Sequence, residues 1–153
     1  MTNPIKEIYK WQVEAGLADR PYDDFLESSF QIEEALEGLN IQNFIDEYAL
    51  PKDFEHTPKG VSRVIVGSAT RLMTKPLSDV DRFDKAIDAI IFAVGSMAKL
   101  GLTPQQIQRG LLVVNHANMQ KLGMPVDEHG KKIKPKDFVG PEVELQKILD
   151  ERK

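Results

Sequence analysis

The chain has 153 residues, 41% apolar and 29% charged, a composition that fits one folded domain and excludes intrinsic disorder. It contains no cysteine, which excludes disulfides, zinc thiolates and thiol nucleophiles. A net charge of −4 argues against a nucleic-acid binder that relies on phosphate contacts.

No apolar run approaches the roughly 18 residues of a membrane span. The opening MTNPIKEIYKWQVEAG lacks the basic start, apolar stretch and cleavage site of a signal peptide. The expectation is a cytoplasmic protein with one domain over 1–153 and neither nucleic acid nor membrane as partner. Most acids fall between residues 23 and 88, and a lysine-rich stretch runs from Lys121 to Lys136. That asymmetry suits a metal-bridged anionic ligand, and it suits two solvated faces equally well.

In chain order, a first helix is predicted from about Pro4 to Ala15, stopping at Gly16. A second starts near Tyr22, behind Pro21, and ends at Gly38; a short one over Gln42–Leu50 is closed by Pro51. PKDFEHTPKG then reads as a loop, rich in proline and charge. Thr57-Pro58 forms an N-cap and first helical position for a segment reaching Met73, although VSRVIVG also reads as a strand. Ser78–Leu100 is the clearest helix, with Val80, Phe83, Ile87, Ile90, Ile91 and Val94 at helical spacing to form its core face. Thr103-Pro104-Gln105-Gln106 is a capping box that opens a helix to about Leu122, with Gly101 and Gly123 as C-terminal stops. An extended linker leads to a last helix, Pro141–Glu151. The pattern is all-α, a helix bundle.

Two helices carry acids in register. Glu34 and Glu37 are three apart and share a face with Leu26 and Phe30, at about 100° per residue. Carboxylates continuing an apolar ridge are costly unless a cation neutralises them; a surface acidic patch at a helix end is the plain alternative. Asp81, Asp84 and Asp88 form a stripe bordering the core face of the long helix. Asp81 also makes a capping box with Ser78. Asp88 lies mid-helix, where aspartate has poor propensity. An all-carboxylate set without histidine or cysteine suits Mg²⁺ or Mn²⁺, and the absence of Glu-x-x-His pairs argues against a di-iron bundle.

These motifs resemble the all-alpha nucleoside triphosphate pyrophosphohydrolases, the superfamily of MazG, phosphoribosyl-ATP pyrophosphohydrolase and the dimeric dUTPases. The family's E-E-x-x-E motif is matched by Glu33, Glu34 and Glu37, and its second acidic motif by DRFDKAID, with Asp81 in place of the usual glutamate. IIFAVGSMAKLG is similar to the apolar stretch that follows it. VVNHANMQKLGMPVDEHGKKIKPKDFVGP resembles the C-terminal signature of the phosphoribosyl-ATP pyrophosphohydrolase-like subgroup, and IYKWQVEAGL its opening helix. The resemblance covers nearly the whole chain except Asn40–Pro76, which is longer than the family's usual connection.

The resemblance implies Mg²⁺-dependent cleavage of a nucleoside triphosphate to a monophosphate and pyrophosphate. Glu34, Glu37, Asp84 and Asp88 would be the metal ligands, Asp81 a possible further acid, and Glu33 the base. Asn115 and Asn118 would contact sugar or base, and Lys121 and Lys134 phosphate oxygens. Without the resemblance, the asparagines are ordinary helix-surface residues and Lys121 a helix C-terminal cation. Trp11, the only tryptophan, reads as a core or interface anchor. Helices apolar on two sides need more partners than one small chain supplies, and the resemblance implies a bundle completed by homo-oligomerisation, as a dimer or dimer of dimers. Two alternatives stand beside this: phosphoribosyl-ATP pyrophosphohydrolase of histidine synthesis, and a non-catalytic helical interaction module.

Overall fold

A computed structural model describes residues 2–39, 41, 43, 45, 55–125 and 132–152. Among them are six helices and no strand: α1 (Pro4–Glu14), α2 (Asp24–Gly38), α3 (Pro58–Arg71), α4 (Asp79–Lys99), α5 (Pro104–Gln120) and α6 (Glu142–Asp150). No single helix among them is long and apolar enough to cross a membrane. The helix expected over Gln42–Leu50 lies outside the described residues apart from Asn43 and Ile45, of which Ile45 is buried. The chain divides into two compact units, residues 21–83 and residues 1–20 with 84–153.

In the unit of residues 21–83, α2 packs against α3. Asp23 caps α2 by accepting from the amides of Phe25 (2.8 Å) and Leu26 (3.0 Å), so the helix begins slightly later than Tyr22. Ser29 on α2 and Ser62 and Val66 on α3 are buried, and a Cβ on Gly67 would lie 3.5 Å from Phe25 Cε2. Ser62 Oγ donates to the Lys59 carbonyl (2.8 Å), which satisfies that buried hydroxyl. The segment VSRVIVG is helix. Thr57 accepts from the Gly60 amide (3.1 Å), Pro58 opens the first turn, and burial recurs at Ser62 and Val66, one helical turn apart. Gly60 is required where it stands, since a Cβ there would sit 1.8 Å from the Glu55 carbonyl oxygen.

In the other unit, α5 packs against α1 and α6, burying Ile107, Ala117 and Ile148. The predicted capping box is complete: the Thr103 hydroxyl accepts from the Gln106 amide, and Gln106 Oε1 accepts from the Thr103 amide (2.8 Å). Gln106 Nε2 also donates to the Ile148 carbonyl (3.3 Å), tying the start of α5 to the end of α6. Arg109 forks onto Glu151, and Arg152 donates to the Leu100 carbonyl (3.0 Å). Gly101 and Gly123 adopt φ of 82° and 75°, the left-handed geometry that ends the two helices before them.

The long helix departs from expectation. Its apolar stripe has the spacing of a core face, yet no residue of α4 is buried, and Val80, Phe83 and Ile91 are 76%, 70% and 58% exposed. Helical spacing shows that a face is apolar; it does not show which chain covers it.

Candidate metal and nucleotide site

Glu33, Glu34 and Glu37 all lie on α2, but burial separates them. The face turned to α3 carries Phe25, Ser29, Ile32 and Leu36, all at least half-buried, and Glu33 falls at its edge. Burial above all, and then the Glu37 carboxylate, hold the Glu33 carboxyl above the usual carboxylate range; Lys59 on α3 opposes this, Glu34 adds to it and Arg63 opposes it again. Leu26 and Phe30 are exposed, as are Glu34 and Glu37 beside them. The ridge expected to desolvate these two carboxylates is therefore open in the single chain, because α3 covers the neighbouring face instead. Their cost of burial is not incurred within these residues.

On α4, Asp81 accepts from both the Ser78 amide (3.1 Å) and the Ser78 hydroxyl (2.6 Å), while the Asp81 amide donates to Ser78 Oγ (3.2 Å). The hydroxyl bond, with the amide bond second, holds the Asp81 carboxyl below its usual range. Asp81 is thus engaged as a helix cap. Asp84 and Asp88 are exposed, and among the described residues neither they nor Glu34 and Glu37 are engaged by a hydrogen bond or ion pair. Glu34 and Glu37 belong to the unit of residues 21–83, Asp84 and Asp88 to the other. Among the described residues, no three histidine, aspartate or glutamate side chains gather around a common point that would hold a metal.

The nucleotide-contact candidates separate in the same way. Asn118 Oδ1 accepts from Lys121 Nζ (2.9 Å), a pair one helical turn apart and half-buried at the end of α5. Asn115 is buried, and its Oδ1 has no hydrogen-bond partner among the described residues. Asn115 lines a cavity of about 800 Å³ with Glu7, His116, Met119, Gln120 and Glu144, which Asn118 and Lys121 do not line. His116 Nε2 lies 3.0 Å from Gln120 Nε2, so its ring is held by its own helix. Lys134 Nζ stands 5.2 Å from the centre of the Phe138 ring. Trp11 is half-buried on α1, and its Nε1 has no hydrogen-bond partner among the described residues.

One cluster escaped the sequence reading. Arg82 forks onto Asp24 through Nε (3.2 Å) and Nη2 (2.8 Å), donates to Asp79 through Nη1 (3.2 Å) and stacks 4.8 Å over the Tyr22 ring. Asp24 and Arg82 are 58 residues apart, and no local spacing signals their pairing.

An all-oxygen, exposed carboxylate set fits a hard divalent cation in its chemistry. No family model, curated protein or solved structure matches the chain.

Proposed function

We propose that this chain is a Mg²⁺-dependent nucleotide pyrophosphohydrolase of the MazG-like kind, acting as a homo-oligomer. The observation that carries the reading is the state of its acids. Glu34 and Glu37 at i,i+3 on α2, and Asp84 and Asp88 at i,i+4 on α4, are exposed pairs of carboxylates that make no hydrogen bond or ion pair among the described residues.

Those four side chains would hold the cation, with Mn²⁺ as a substitute. When bound, the cation supplies positive charge against the phosphates and at the attacking and leaving oxygens. Glu33 does the proton chemistry. Its carboxylate takes a proton from the water that attacks phosphorus, a phosphoanhydride bond breaks, and pyrophosphate leaves as the monophosphate is released. A carboxyl held above its usual range by burial is a stronger base than a solvated one. Asn118, held by Lys121, offers its amide N–H groups to base or sugar, and Lys121 and Lys134 meet phosphate oxygens as point charges.

The uncovered apolar face of α4 supports the oligomer. Leaving Phe83, Ile90 and Ile91 in water forgoes about 1.5–3 kcal/mol for each side chain that a second copy would cover.

Metal-dependent melting tests the proposal. A cation bound only by the native state at a hundred times its dissociation constant stabilises by about 2.7 kcal/mol. Mn²⁺ should raise the melting temperature of metal-free protein and leave a Glu37→Gln, Asp88→Asn double variant unmoved. Identical melting of the wild type with and without metal would refute it.

A further inference from the structure

A groove of about 290 Å³ runs along α3, and its lining includes Glu55, Arg63, Gly67, Ser68 and Arg71. Arg63, Gly67 and Arg71 follow at i, i+4 and i+8, so they share one helix face, and the two arginines are about 12 Å apart along the axis. Gly67 has no side chain to fill the space between them, and the Ser68 hydroxyl borders the same floor. The groove therefore offers a guanidinium at either end and a hydroxyl between.

Both cations are available. The Arg63 contact with Glu55 is loose, at 3.9 Å, with side chains 44% and 48% exposed. Such a pair is worth little, and an incoming anion can compete with Glu55 for Arg63. Arg71 makes no hydrogen bond or ion pair among the described residues. Its place in the last turn of α3 favours a cation through the helix dipole, which explains its charge without explaining a groove in front of it.

A guanidinium fork matches a phosphate edge in two parallel hydrogen bonds. A single phosphate engages one fork; an anion that engages both must carry charge along a linear chain. We propose that the α3 groove between Arg63 and Arg71 binds a linear oligophosphate, either free or as the phosphate chain of a nucleoside triphosphate. Arg63 reaches the neighbourhood of the α2 acids, since it and Lys59 act electrostatically on Glu33. The groove thus lies on the helix that faces the candidate base. Its role in holding substrate rests on the pyrophosphohydrolase reading; the binding itself does not.

Calorimetric titration of the full chain with tripolyphosphate and orthophosphate, in metal-free buffer, tests the binding. Tripolyphosphate should bind more tightly than orthophosphate, and its affinity should fall as salt rises. Arg63→Gln and Arg71→Gln should each weaken it by about tenfold or more, the scale of one hydrogen bond to a charged group. Glu55→Gln should strengthen it by removing the competitor. These are exposed positions, and circular dichroism checks that each variant stays folded. No tripolyphosphate binding, or binding unchanged in both arginine variants, would overturn the proposal. Displacement of tripolyphosphate by a nucleoside triphosphate assigns the groove to the nucleotide chain; failure to displace it assigns the groove to free oligophosphate. Tripolyphosphate binding in a chain that hydrolyses no nucleotide would sink the pyrophosphohydrolase reading and leave the groove standing. Hydrolysis with KM unmoved by Arg63→Gln and Arg71→Gln, together with unchanged tripolyphosphate binding, would do the reverse.

Discussion

Replacing Gly60 with alanine should destabilise the unit of residues 21–83, although Gly→Ala inside a helix ordinarily helps by about 1 kcal/mol. The added Cβ would lie 1.8 Å from the Glu55 carbonyl oxygen and 2.8 Å from its carbon, both backbone atoms that cannot rotate away. Either the chain at Glu55 or the first turn of α3 must move by more than an ångström, on the order of the gap to ordinary contact. That movement strains the Glu55 carbonyl's hydrogen bond from the Thr57 amide (2.8 Å) and the Thr57 cap on the Gly60 amide (3.1 Å). A lost cap costs about 1 kcal/mol and forced overpacking about 1–3 kcal/mol, so the net loss is about 1–3 kcal/mol after the propensity gain. At a urea slope of about 1–3 kcal/mol per molar, the unfolding midpoint should fall by roughly 1 M. Gly95→Ala in α4 is the control, because nothing lies within 4 Å of its Cβ position, and it should gain about 1 kcal/mol. A Gly60→Ala protein as stable as the wild type would refute the close approach of the 55–57 backbone to α3.

Thr103→Ala removes the capping box of α5 and should cost about 1 kcal/mol in urea unfolding, while Gln106→Ala should cost more because Gln106 also holds the Ile148 carbonyl. Ionised Asp81 is favoured by the fold, so its cap contributes stability above the usual carboxylate range and loses it as pH falls through the lowered value; Asp81→Asn should flatten that acid limb in a pH series of thermal melts. Glu33 runs the other way. Its raised pKa means that the fold disfavours the ionised carboxylate, so in metal-free protein Glu33→Gln should raise the melting temperature at pH above the carboxylate range and leave it unmoved at low pH.

Local chemistry made much of the fold legible. Thr57-Pro58, Thr103 to Gln106 and Ser78 with Asp81 each announce a helix start through residues within one turn, and the structure places all three caps as read. The same rule explains how VSRVIVG forms a helix despite its β-branched residues: the cap and the one-turn recurrence of burial outweigh a small propensity cost. Long-range pairings were not legible. Asp24 with Arg82 and Arg109 with Glu151 depend on how segments return to one another. The acids of the candidate site were legible as helix-face pairs, and Asp81 as a cap. Their solvent exposure was not, because an apolar neighbour such as Phe30 signals burial only when something covers it.

The most direct measurement is pyrophosphate release with Mg²⁺ from a panel of nucleoside triphosphates and phosphoribosyl-ATP, run beside the Glu37→Gln, Asp88→Asn variant. The account predicts release from at least one nucleoside triphosphate that vanishes in the variant. Silence across the panel, or release that the variant retains in full, would contradict it.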